Sequence, residues 1–135
     1  MAPRLRPFGR AAYTARMSDI TIYHNARCSN SRGALALLRE RGLEPIVIDY
    51  IKEPLDVAQL TALVARLGVP VRELLRAKEA AYQALDLGNP RHGDAHLLEA
   101  VARHPELLNR PIVVTPQGAR LCRPPERVLE LLSAA

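Results

Sequence analysis

The stretch that decides the fold is residues 19–50, DITIYHNARCSNSRGALALLRERGLEPIVIDY. Residues 19–23 and 44–50 are rich in β-branched apolar side chains, which predicts two strands. Between them, residues 29–41 carry leucine and alanine at helical spacing, and Gly42 follows as a stop. Because the connections are short, the pattern predicts two parallel strands joined by a right-handed crossover helix.

Cys28 stands where the predicted helix begins, within the run HNARCSNSR of residues 24–32. The first turn of a helix offers unpaired N–H groups and the positive end of the helix dipole. A thiol at this place ionises more readily, and the thiolate is the reactive form. A Cys-x-x-Cys redox pair would need a second cysteine at position 31, where Ser31 stands. The sequence therefore predicts one activated thiol without a resolving thiol beside it.

Helical patterns fill the middle of the chain. Asp56 and Asp94 are the expected N-caps of two amphipathic helices, and Gly68 ends the first of them. The predicted helical segments are residues 56–67, 71–76, 78–87 and 94–103.

The last third of the chain predicts a β-hairpin and a final helix. Residues 111–115 and 119–122 flank a Pro-Gln-Gly turn, and residues 126–132 follow Pro124-Pro125 with helical spacing. The whole order predicts an α/β fold, a thioredoxin/glutaredoxin-like mixed sheet with a helical insertion between strands 2 and 3. The predicted domain covers residues 19–133.

The net charge of +5 comes from the N-terminal tail. Residues 1–18 hold four arginines and no acid, which leaves 15 basic and 14 acidic residues in the remainder. Such a balance does not favour nucleic-acid binding. Because Met17-Ser18-Asp19 resembles an ordinary start, we interpret residues 1–18 as a misassigned or disordered extension; an organelle transit peptide is the alternative.

Composition also indicates the cellular environment in which the protein is expected to work. No apolar stretch approaches the roughly 20 residues that cross a bilayer, so no membrane association is expected. Two cysteines in 135 residues do not form a disulfide framework, which indicates a reducing, cytoplasmic setting. We expect a monomer with no bound cofactor and no metal.

Several blocks in fixed order carry a family resemblance that spans about residues 19–133. They are IYHN-x-x-C-x-x-SR at 22–32, VRELLR at 71–76, NRPIVVTP at 109–116 and RLCRPP at 120–125. In these blocks the chain resembles the glutaredoxin-coupled arsenate reductases, an ArsC-like family of the thioredoxin-like superfamily.

The resemblance implies roles for particular side chains. Cys28 would be the nucleophile, and Arg76, Arg110 and Arg123 would surround the arsenate. Arginine suits an oxyanion because its planar fork donates parallel hydrogen bonds and stays charged at any relevant pH.

Further roles follow from the same resemblance. His24 and Ser31 would help to hold the cysteine as a thiolate, and Pro111 would follow a cis peptide bond. Since position 31 carries no thiol, glutathione is the implied co-substrate, and glutaredoxin is the implied partner that resolves the mixed disulfide. Cys122 follows strand periodicity and is expected to pack in the sheet.

Two other functions stay open. The chain could be a glutathione-dependent thiol oxidoreductase with another substrate, or an Spx-type regulatory module, although Spx proteins with redox sensing use Cys-x-x-Cys. A phosphatase-like Cys-x5-Arg site is excluded, because Ala34 occupies the arginine position.

Overall fold

The computed structural model describes residues 19–132, so the interpretation of residues 1–18 lies outside the described residues. In chain order the helices and strands are β1 (Thr21–His24), α1 (Ser29–Glu40), β2 (Ile46–Asp49), α2 (Val57–Leu67), α3 (Ala80–Ala84), α4 (Asp94–Arg103), β3 (Ile112–Thr115) and β4 (Gly118–Leu121). Within the same residues, 3₁₀ segments lie at Val71–Leu74, Pro105–Leu107 and Pro125–Leu131. None of the helices within residues 19–132 combines the length and the apolar character needed to cross a membrane.

The strands form a mixed sheet in the order β2-β1-β3-β4. β1 pairs with β2 in parallel, with Thr21 opposite Ile46, and with β3 in antiparallel, with Ile22 opposite Val113. β3 and β4 form an antiparallel hairpin. The predicted strand–helix–strand unit, the hairpin and the thioredoxin-like fold class are therefore confirmed.

The sheet carries a hydrophobic cluster on each face. One cluster joins Ile22 and Val113 to α1 and to the C-terminal 3₁₀ segment. The other joins Ile112 to leucines of α2 and α4. Neighbouring residues of β3 belong to opposite clusters because successive side chains of a strand point to opposite faces.

Local sequence signals predict the N-cap of α2 correctly and that of α4 incorrectly. Asp56 caps α2 by accepting a hydrogen bond from the Gln59 N–H, and Gly68 ends that helix in the left-handed conformation. The prediction that Asp94 is an N-cap is wrong, because Gly93 holds that position and Asp94 is already helical. Asp94 lies in the first turn of α4, where the helix dipole favours a carboxylate.

Three predicted helical segments are shorter or tighter than expected. Residues 71–76 form one 3₁₀ segment, Val71–Leu74. Residues 78–87 form only the short helix α3, after which Asp86 takes a positive φ of 54°. The final segment is a 3₁₀ helix rather than an α-helix.

The pairing register brings several loops to one end of the sheet. Tyr23 lies opposite Ile112 at the start of β3, and Ile112 lies opposite Leu121 at the end of β4. β2 ends at Asp49, opposite His24. The loops that follow β1, β2 and β4 therefore meet the loop that precedes β3.

Candidate active site

Cys28 is the N-cap residue of α1, with an extended backbone. Its N–H donates to the Asn25 carbonyl at 3.0 Å, which closes a tight turn between β1 and the helix. The backbone N–H groups of Ser31 and Asn30, in the first turn of the helix, favour the ionised sulfur and lower its pKa, although the Cys28 side chain makes no cap hydrogen bond. The predicted position of the thiol at a helix start is confirmed.

The surroundings of Cys28 favour its thiolate. Partial burial acts to raise the pKa of this thiol, but the N–H groups of Ser31 and Asn30 and the Arg123 guanidinium outweigh burial and lower the pKa below its usual range. The Cys28 side chain is partly accessible to solvent, as a nucleophile must be.

Arg123 is the cation next to the thiol. Its Nη1 lies 3.7 Å from Cys28 Sγ and donates to the Arg110 carbonyl at 2.8 Å. Both arginines stand beside cis-proline bonds, Arg110–Pro111 and Arg123–Pro124. The cis bond before Pro111 is the one that the family resemblance implied.

Arg110 is largely buried, with 11% of its side chain exposed. Its Nη1 donates to the carbonyls of Glu106 and Leu108 at 3.2 and 3.3 Å. Its Nε is buried and has no hydrogen-bond partner within residues 19–132. Since an unpaired buried N–H is unfavourable, an acceptor at this place would be stabilising.

Backbone contacts hold Arg76 beside the loop that precedes β3. Leu75 and Leu108 form an isolated antiparallel bridge, and the Arg76 N–H donates to the Leu107 carbonyl at 2.7 Å. Among the hydrogen bonds and ion pairs of the described residues, the Arg76 side chain contacts neither the thiol nor another arginine. It meets Arg110 through Glu79, whose Oε2 lies 3.1 Å from Arg76 Nε and 3.6 Å from Arg110 Nη2.

Ser31 is buried and organises the cysteine loop. Its Oγ accepts from the Asn25 N–H at 2.9 Å and lies 2.7 Å from His24 Nδ1. Because the hydroxyl already accepts from Asn25, its own proton is available to donate to the imidazole. The group of Ser31 that lowers the pKa of the Cys28 thiol is its backbone N–H.

His24 is favoured in its neutral form. Partial burial lowers the pKa of this imidazole, and the charges of Arg39 and Arg32 add to the effect, whereas Asp49 opposes it. A neutral imidazole forms this hydrogen bond with the Ser31 hydroxyl in either tautomer, accepting at Nδ1 when the proton is on Nε2 and donating when it is on Nδ1. The structure therefore joins His24 and Ser31 to each other, next to the thiol.

Ser31→Ala is expected to lower the free energy of unfolding by about 1–3 kcal/mol, because the partly buried Asn25 N–H and His24 Nδ1 lose their hydrogen-bond partner. The pKa of the Cys28 thiol should change little, since the backbone N–H groups remain. Urea denaturation and the pH dependence of Cys28 alkylation test this, with the exposed Ser29→Ala as control. A raised thiol pKa at unchanged stability would show instead that the hydroxyl acts on the sulfur.

Sequence reasoning missed three side chains of the site. Asn25 donates from Nδ2 to the Tyr50 hydroxyl at 3.1 Å and accepts the Arg27 N–H, an Asx turn that Asn after a strand could have signalled. Tyr50 is fully buried at the end of β2. Glu79 lies three residues after Arg76, across a turn in which the Glu79 N–H donates to the Arg76 carbonyl at 3.2 Å.

The charges of Cys28, Glu79 and Arg110 all act on the hydroxyl of Tyr50. Burial raises the pKa of Tyr50, and the negative charges of Cys28 and Glu79 raise it further, whereas the Asn25 hydrogen bond and Arg110 lower it. The phenol therefore lies within the field of the thiol, the carboxylate and an arginine together.

Cys122 follows directly after β4 and, as predicted, packs with the sheet, in the hydrophobic cluster of Ile22 and Val113. It is fully buried, and its Sγ donates to the Arg120 carbonyl at 3.6 Å. Burial raises the pKa of its thiol to about 12. Both cysteines are free thiols.

Fold and site together define a class, that of thioredoxin-like proteins with a single activated thiol at a helix start. The chain belongs to the ArsC family, whose model matches residues 23–131. It is 48% identical over 113 residues to the arsenate reductase of Rhizobium meliloti (strain 1021), a match that covers 84% of this chain and 81% of that protein. The arsenate reductase of Escherichia coli (strain K12) is 47% identical over 119 residues, 88% of this chain and 84% of that protein.

A solved structure agrees with these sequence matches. The arsenate reductase from Vibrio cholerae superimposes with a TM-score of 0.81 at 46% identity, covering 83% of this chain and 96% of that chain. The resemblance that the sequence blocks indicated is confirmed.

Proposed function

We propose that this protein reduces arsenate to arsenite, with Cys28 as the nucleophile and with glutathione and glutaredoxin as the source of electrons. The observation that carries the proposal is the Arg123 guanidinium at 3.7 Å from a helix-start thiol of lowered pKa, in a chain of the ArsC family. The relatives named arsenate reductase support the substrate.

The main difficulty of this reaction is the electrostatic repulsion between a thiolate and an oxyanion. Nearby positive charge reduces this repulsion. In the cluster, three guanidinium groups outweigh one thiolate and one carboxylate, so an anion is attracted. Arg123 can contact both the sulfur and an oxygen bonded to arsenic. Arg110 has a buried Nε that lacks an acceptor within the described residues.

The first bond to form is between Cys28 Sγ and arsenic. The thiolate supplies the electron pair, an arsenate oxygen leaves as water after taking up protons, and arsenic keeps its oxidation state. A glutathione thiolate then attacks Cys28 Sγ, the S–As bond breaks, and its electron pair reduces arsenic to arsenite. Cys28 is left as a mixed disulfide with glutathione.

Glutaredoxin would complete the cycle by attacking the glutathione sulfur of that disulfide, which releases the Cys28 thiolate. A second glutathione regenerates glutaredoxin, so arsenate and a pair of glutathione molecules give arsenite, water and oxidised glutathione. The resolving thiol must come from outside the described residues, since Cys122 is buried and its thiol pKa is about 12.

Arsenate-dependent NADPH oxidation tests the proposal, with glutathione, glutaredoxin and glutathione reductase present. We expect turnover with the full system and a loss of turnover when glutathione or glutaredoxin is omitted. Absence of arsenate turnover by a folded protein with an alkylatable Cys28 would overturn the proposal. If the same protein reduced a glutathionylated protein instead, a thiol oxidoreductase with another substrate would replace it.

A further inference from the structure

A carboxylate lies within the arginine cluster, where the reaction chemistry does not require one. Glu79 Oε2 is shared by Arg76 Nε at 3.1 Å and Arg110 Nη2 at 3.6 Å. A quarter of the Glu79 side chain is exposed, so the group is neither deeply buried nor freely solvated. A negative charge at this place weakens the attraction of the site for any anion. Attraction of an anion alone therefore does not explain why a carboxylate lies here.

Glu79 is linked to the reacting groups through Arg110, whose Nη2 lies 3.6 Å from Glu79 Oε2. The charges of Glu79 and Cys28 both act on the Tyr50 hydroxyl, as does that of Arg110. An oxyanion that contacts Arg110 and the thiol therefore comes close to the Glu79 carboxylate.

The two oxygens of Glu79 differ in their contacts. Both ion pairs use Oε2, and within residues 19–132 no hydrogen bond reaches Oε1. An ionised carboxylate accepts hydrogen bonds and donates none. Oε1 is thus suited to a ligand that brings a proton, and it repels a ligand oxygen that brings only charge.

We propose that Glu79 makes the site selective for tetrahedral oxyanions that keep a proton at neutral pH, such as arsenate and phosphate, against those that keep none, such as sulfate. The inference rests on the oxyanion site of the proposed function. Glu79 Oε1 accepts a hydrogen bond from the O–H of a protonated anion, whereas a sulfate oxygen facing it is left unpaired and repelled. A site that rejects a competitor through an unpaired charge can discriminate strongly between ions of similar shape.

Binding of unreactive anions tests this selectivity without any turnover. Phosphate and sulfate are titrated separately against the rate of Cys28 alkylation by iodoacetamide, at neutral pH and with ionic strength held constant by chloride. Wild type, Glu79→Gln and Glu44→Gln are compared. Glu44 is a matched control because it pairs with Arg39 at 3.0 Å on the exposed surface. The alkylation rate without added anion reports the thiol itself in each variant.

We expect phosphate to protect wild-type Cys28 at lower concentration than sulfate does. In Glu79→Gln, the preference should move toward sulfate by about tenfold, because the amide N–H₂ donates to an unprotonated oxygen. Glu44→Gln should keep the wild-type ratio.

Several results would overturn the inference. Equal weakening of both anions in Glu79→Gln would show that Glu79 only positions the arginines. An unchanged ratio, or no protection of wild type by either anion, would refute the assignment. Arsenate turnover measured in parallel separates this inference from the proposed function: turnover with an unchanged ratio refutes only the role of Glu79, and a changed ratio without turnover refutes only the reductase.

Discussion

Cys28→Ser is expected to abolish arsenate turnover, with kcat falling by at least about 10³-fold. A serine hydroxyl stays protonated where the N–H groups of Asn30 and Ser31 and the Arg123 guanidinium stabilise a thiolate. No S–As bond can form, and no mixed disulfide with glutathione can follow. The coupled NADPH assay measures the loss, and mass spectrometry after incubation with oxidised glutathione checks that the variant carries no adduct.

Cys122→Ala is the matched control for the loss of a thiol. Because Cys122 is fully buried and its thiol pKa is about 12, its removal should leave turnover within a few-fold of wild type. Iodoacetamide should label only Cys28 in the native protein and both cysteines after denaturation. Turnover that survived in Cys28→Ser and disappeared in Cys122→Ala would show that Cys122, and not Cys28, is the nucleophile.

Much of the fold could be predicted because its signals are local. The sequences of β1, α1 and β2 each show the periodicity of their own secondary structure. Because the connections between them are short, a right-handed crossover between parallel strands is the expected topology. The cap at Asp56 was predictable because a capping box lies within four neighbouring residues. At Asp94 the same reasoning failed, since the helix begins one residue earlier, at a glycine cap that offers no side chain.

The site could be predicted only in part from the residues themselves. The position of Cys28 follows from the strand and helix around it, but the choice of Arg76, Arg110 and Arg123 came from the family resemblance. The link from Glu79 to Arg110 depends on the bridge between Leu75 and Leu108, which no local pattern reveals.

The contacts of the cysteine loop depend on tertiary structure in the same way. The hydrogen bond from Asn25 to Tyr50 needs β2 to lie parallel to β1, so that both side chains leave the sheet at one end. The family resemblance implies that Ser31 helps to hold the thiolate. Its hydroxyl is hydrogen-bonded to the Asn25 N–H and to His24, and it is the backbone N–H of Ser31 that lowers the pKa of the thiol.

Arg123→Ala is expected to lower kcat/KM for arsenate by about 10²–10³-fold, the range for removal of one donor to a developing oxyanion. The side chain has two partners, Cys28 Sγ at 3.7 Å and the Arg110 carbonyl at 2.8 Å. Its loss removes a cation from the thiolate and frees the loop that carries Arg110. Arg123→Lys should recover part of the activity, because the charge returns without the planar fork.

The pH dependence of the Arg123→Ala variant separates these effects. Arg123 lowers the pKa of the Cys28 thiol, so its removal raises that pKa, and the alkylation profile moves to higher pH. Activity should therefore fall most at low pH and recover in part as pH rises, whereas loss of arsenate contacts persists at every pH. Arg120→Ala removes an arginine of β4 whose partly exposed side chain pairs with Glu130 of the C-terminal 3₁₀ segment, and it should leave both profiles as in wild type. An unshifted alkylation profile in Arg123→Ala would mean that the N–H groups of Asn30 and Ser31 alone hold the thiolate.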